Sequence, residues 1–84
     1  MNKVKFKIND YYETSDLALS AFLSLFFPID SLDRTNPGKT LFLFVRSPEL
    51  EKLIEAFWKR KVQVNPQDYF SAIKNIKSRL YENK

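Results

Sequence analysis

Eighty-four residues, 44% of them hydrophobic and 15% aromatic, are enough for one domain with a core and too few for two. The chain has no cysteine and no histidine, which removes disulfides, thiolate nucleophiles, the usual zinc sites and the commonest general base. A net charge of +4 favours anionic partners without demanding one, and a single glycine argues against low complexity.

Lys3, Lys5 and Lys7 alternate with Val4, Phe6 and Ile8, the period that sorts side chains onto the two faces of a strand over 3–8. The polar run 9–13 then predicts a turn. Thr14, Ser15 and Asp16 offer oxygens to the free amides of a helix over 15–26. That helix is apolar over most of its circumference, with Asp16, Ser20 and Ser24 forming a narrow polar stripe, and Pro28 ends it. Residues 29–34 predict a short strand. Asn36-Pro37-Gly38-Lys39 predicts a hairpin, proline presetting one turn angle and glycine supplying a positive one. A strand over 40–46 follows, with Leu41, Leu43 and Val45 on one face and Phe42, Phe44 and Arg46 on the other. With both faces apolar, it belongs at the centre of a sheet.

Ser47-Pro48-Glu49 caps and opens a helix over 48–59, whose buried stripe is Leu50, Leu53, Ile54, Phe57 and Trp58. Residues 61–64 alternate briefly, as a short edge strand would. Asn65-Pro66 repeats the cap-then-proline start of a helix over 66–81, with Tyr69, Ala72, Ile73, Ile76 and Leu80 on its apolar face. These elements predict a single α+β domain over 1–84, an antiparallel sheet of three to four strands packed with three helices. The order of the first six matches the ferredoxin-like pattern, with a C-terminal helix added.

Constellations for chemistry are few. Gly38-Lys39-Thr40 resembles the end of a phosphate loop, but Asp33 stands where that motif needs glycine and a strand follows where it needs a helix. The carboxylates Asp10, Glu13, Asp16, Asp30 and Asp33 read as caps and turn residues. No catalytic residue, metal site or cofactor is expected. If Leu41, Leu43, Val45, Val62 and Val64 face the first two helices, the opposite face collects Phe42 and Phe44 with Lys3, Lys5, Lys7, Arg46, Lys61 and Gln63. Cations interleaved with aromatics suit single-stranded nucleic acid. Burial beneath the last helix would instead make the two phenylalanines core. A second basic group, Lys59, Arg60, Lys61, Lys74, Lys77 and Arg79, remains in either case.

Tyr11-Tyr12-Glu13-Thr14-Ser15-Asp16-Leu17-Ala18-Leu19 resembles an uncharacterised small-domain family of bacteria and their phages, in which an aromatic and then Thr-Ser-Asp-Leu open an alanine-rich helix. The similarity continues through Phe42-Leu43-Phe44, Pro48-Glu49-Leu50 and Ile73-Lys74-Asn75-Ile76-Lys77. It implies no activity and no catalytic residue.

The functional expectation is a non-enzymatic binding module. Nucleic acid is the leading partner, with Lys59, Arg60, Lys61, Lys74, Lys77 and Arg79 as its contact residues. The alternative partner is a protein or a second copy of the chain, held through the apolar helix 15–27. No membrane partner is expected, because the longest apolar stretch falls short of the ~20 residues a bilayer needs, and the expected location is cytoplasmic.

Overall fold

A computed structural model describes residues 10–82, so the predicted strand over 3–8, with Lys3, Lys5 and Lys7, lies outside the described residues. The described elements are β1 (Tyr11–Thr14), α1 (Leu17–Ser24), β2 (Ser31–Asn36), β3 (Lys39–Val45), α2 (Pro48–Trp58) and α3 (Pro66–Leu80). They form a three-stranded antiparallel sheet in the order β1-β3-β2. Because β1 and β2 are each antiparallel to β3, they run parallel to one another with β3 inserted between them. Among the described residues this is the split β-α-β arrangement without the fourth strand that the ferredoxin-like pattern adds, and it makes residues 39–45 the central strand, as their pattern requires.

Three local expectations are corrected. Part of the predicted turn over 9–13 is strand: Tyr11 and Tyr12 pair with Val45 and Phe44, and aromatic residues favour that extended backbone. The alternation at 61–64 is not a strand. Val62 and Val64 are half-buried against the helical core, so their period reflects two anchors on an extended connection. Gly38 turns the hairpin without a positive φ, and the Oδ1 of Asn36 accepts from its N–H at 2.9 Å to close the turn.

Each helix begins at a side-chain cap. Asp16 Oδ1 accepts from Leu19 N–H at 2.8 Å, Ser47 Oγ from Leu50 N–H at 3.0 Å and Asn65 Oδ1 from Asp68 N–H at 3.0 Å. Such caps stabilise by ~1 kcal/mol each. Pro48 and Pro66 follow the last two at positions where a missing N–H costs nothing.

The two faces of β3 divide as predicted, and it is Phe42 and Phe44 that point into the helical core, so the condition that would put Leu41, Leu43 and Val45 toward the first two helices is not met. They are wholly buried in one cluster with Leu19, Ala21, Phe22 and Leu23 of α1, Leu50 and Ile54 of α2, and Ala72 and Ile76 of α3. Tyr12 and Leu32, their register partners on the flanking strands, pack against the same cluster. Leu41, Leu43 and Val45 form the opposite, half-buried face. A phenylalanine buries more apolar area than a leucine or valine, so the parity that places both rings inside is the stronger one. The two rings are therefore core, as the burial reading of the sequence has it, and they are not available as a stacking platform.

The apolarity of α1 is accounted for within the chain. Both other helices pack on α1, and its residues 19–23 are all buried. Tyr69 Oη donates to the Ala18 carbonyl at 3.0 Å, tying α3 to α1, and desolvation raises the Tyr69 pKa above its ordinary value. Among the buried residues of α1, Ser20 is the exception: its Oγ has no hydrogen-bond partner among the described residues. A buried hydroxyl left unpaired costs ~1–3 kcal/mol, and alanine is also the better helix former. Ser20→Ala is expected to raise the unfolding free energy in urea by about 1 kcal/mol; an unchanged or lower value would show that the hydroxyl finds a partner.

Candidate functional site

The six predicted contact residues occupy three places, because the chain turns sharply after α2 and α3 presents two flanks. Lys59, Arg60 and Lys61 lie at the C-terminal end of α2. The N–H of Arg60 donates to Phe57 O at 3.0 Å and that of Lys61 to Ala56 O at 2.9 Å, the paired bonds of a Schellman turn. That turn puts Arg60 at φ 59°, in the left-handed region where glycine is the preferred residue. An L side chain there costs about 1 kcal/mol or more.

The charges of this corner are unequal. Lys59 Nζ meets Glu55 Oε2 at 2.8 Å one turn away, and this hydrogen bond and the lysine's charge hold the Glu55 carboxyl below its usual range. Arg60 and Lys61 are exposed and form no ion pair among the described residues. Beside them Trp58 is 57% exposed, contrary to the expectation that it ends the buried stripe of α2. Its indole packs edge-on to Phe57, centroids 5.1 Å apart and planes at 84°. Phe57 in turn lies 5.4 Å from buried Phe22, and Phe22 lies 5.3 Å from Phe26, which is exposed. Four rings thus run from surface through core to surface. Phe57, Trp58, Arg60 and Val62 line a groove of about 510 Å³.

Lys74 and Lys77 share a flank of α3 with Phe70, at i, i+4 and i+7. Phe70 is 59% exposed, and Lys74 Nζ sits 4.8 Å from its ring centroid, within cation–π range. Tyr81, also exposed, continues the line at the helix end. Composition reveals the lysines of this strip. Its aromatic members were missed, although the same spacing rule that groups the lysines also places Phe70 with them.

Arg79 is separate. It falls about 200° around the helix from Lys77, where it lines a cleft with Ser24, Phe27, Pro28, Ile29 and Asn75. Its backbone carbonyl and that of Leu80 accept from the guanidinium of Arg34, the latter at 3.1 Å, fixing the end of α3 to β2. Arg46 is likewise occupied: Nη1 meets Glu51 Oε2 at 2.6 Å, Nε donates to Tyr11 O at 3.2 Å, and the guanidinium lies 5.6 Å from the Tyr12 centroid.

Among the described residues no cluster of three or more acidic side chains is placed to hold a metal ion, and no helix is long and apolar enough to cross a membrane. Residues 9–82 match the family described as a domain of unknown function (DUF5659), and the chain belongs to that family. No curated protein and no solved structure matches the chain.

Proposed function

We propose that the chain is a non-enzymatic module that binds nucleic acid through two exposed surfaces, the α3 strip of Phe70, Lys74 and Lys77 and the α2 corner of Trp58, Arg60 and Lys61. The observation that carries the reading is the pairing of large exposed aromatics with cations in both places: Lys74 over Phe70, and Trp58 sharing a groove with Arg60. Aromatic faces stack on bases, while ammonium and guanidinium groups neutralise phosphates. Of the contact residues predicted from sequence, Lys59 contributes less because Glu55 offsets its charge, and Arg79 less because it lies on the far flank of α3. The alternative, a protein or self-association surface on the helix 15–27, has less support, since residues 19–23 are buried in the core and Phe26 is the large apolar side chain of that segment left exposed.

Titration of labelled oligonucleotides at two salt concentrations tests the reading. Affinity is expected to fall steeply with salt, and the double variant Lys74→Ala/Lys77→Ala should weaken binding and flatten the salt slope by roughly 1.4 for single strands. No binding at low salt, or binding indifferent to salt, would overturn the proposal.

A further inference from the structure

We infer that the groove at the end of α2 is a site for one unstacked nucleobase, with Trp58 as the stacking face and Arg60 as the phosphate contact, so that the module selects single-stranded over duplex nucleic acid. The inference rests on the proposed nucleic-acid function and goes beyond it by naming the form of nucleic acid and the residues that select it.

Three observations converge on this corner. The Trp58 indole is more than half exposed, yet it is braced edge-on by Phe57. An outer ring backed in this way has one environment fixed by protein and leaves surface for a planar ligand. The groove it shares with Phe57, Arg60 and Val62, at about 510 Å³, is within the size range of small-ligand sites and large enough for a single base with its sugar. The third is Arg60. It occupies the helix-ending position where glycine would relieve a left-handed backbone, so its side chain is retained at a cost to the fold. Strain kept at a surface site points to a use for the side chain. The local charge agrees: Glu55 is the acidic side chain of the last turn of α2, and Lys59 already neutralises it. A duplex offers stacked bases whose faces are inaccessible, whereas a single strand can turn one out onto an aromatic side chain.

Trp58 is the single tryptophan of the chain, so its fluorescence reports on this groove alone. Adding short oligothymidylate at low salt is expected to quench it, and a mixed-sequence duplex at equal phosphate concentration is expected to quench it much less. By anisotropy of a labelled strand, Trp58→Ala should weaken binding by about 5- to 150-fold, since the exposed ring supports little of the core. Arg60→Gly should weaken it several-fold and reduce the salt slope by about 0.7. The same variant should melt about 4 °C or more higher, because glycine relieves the left-handed residue.

Loss of affinity with a gain in stability separates a ligand contact from a structural role. Oligonucleotide binding without any change in Trp58 fluorescence would overturn the groove assignment while leaving nucleic-acid binding standing, and absence of binding would overturn both. Equal quenching by duplex would overturn the strand selectivity. A fluorescence change that depends on protein concentration, without oligonucleotide, would assign the groove to a second copy of the chain and overturn the inference.

Discussion

Phe44→Ala is expected to cost about 3–5 kcal/mol, the usual range for removing a fully buried ring. A domain of this size has a total stability of only roughly 4–13 kcal/mol at typical values per residue. The variant should therefore unfold at a much lower urea concentration, or populate the unfolded state without denaturant. The reason is position: Phe44 is 0% exposed in the middle of the central strand, within a cluster that all three helices share. Leu43, one residue away, points to the other face and is only half-buried. Leu43→Ala should cost less than half as much, near 1–1.5 kcal/mol for partial loss of a buried side chain. Phe44→Leu, which keeps most of the volume, is the variant expected to stay folded, at roughly 1–1.5 kcal/mol. Urea denaturation of the three variants measures the face assignment of β3 directly. A cost for Leu43→Ala equal to or greater than that of Phe44→Ala would overturn it.

That assignment marks the point at which the sequence ceased to determine the fold. The helix starts were legible because capping is local: Asp16, Ser47 and Asn65 each act within three residues of themselves. The hairpin was legible because its turn residues are adjacent in sequence, although Gly38 does not take the positive φ expected of it and the Asn36 side chain closes the turn instead. The central strand was legible from apolar residues on both faces, but that same property made its two parities equivalent. Only tertiary pairing distinguishes them, through Tyr12 opposite Phe44 and Leu32 opposite Phe42. Val62 and Val64 misled in the opposite sense, because alternation shows that two side chains are anchored and not what they are anchored to. At the candidate site, the cations were visible in composition and the exposed rings were not. Trp58 sits at the margin of the apolar stripe of α2, where helical spacing alone does not decide between core and solvent. The left-handed turn at Arg60 carries no glycine to announce it.

The ring series joins these two halves of the molecule, and Phe22 is its hinge. Phe22 is 1% exposed, contacts Phe26 on its own helix and Phe57 on α2, and so couples α1 to the segment that carries Trp58. Phe22→Ala should cost about 3–5 kcal/mol in urea unfolding, matching Phe44→Ala. The more informative variant is Phe22→Leu, which keeps apolar volume and should lose only about 1–1.5 kcal/mol. It nevertheless removes the ring against which Phe57 rests, and Phe57 is the ring that braces the indole. Quenching of Trp58 by oligothymidylate should therefore weaken in Phe22→Leu beyond what the stability change explains. Ile76→Val provides the control: it is equally buried, but on α3, and should lose a comparable ~0.5–1.5 kcal/mol while leaving all four rings in place. If both variants leave the quenching as it is in the parent chain, the aromatic series is core packing alone, and the orientation of Trp58 is set by the turn at Arg60 rather than by the rings behind it.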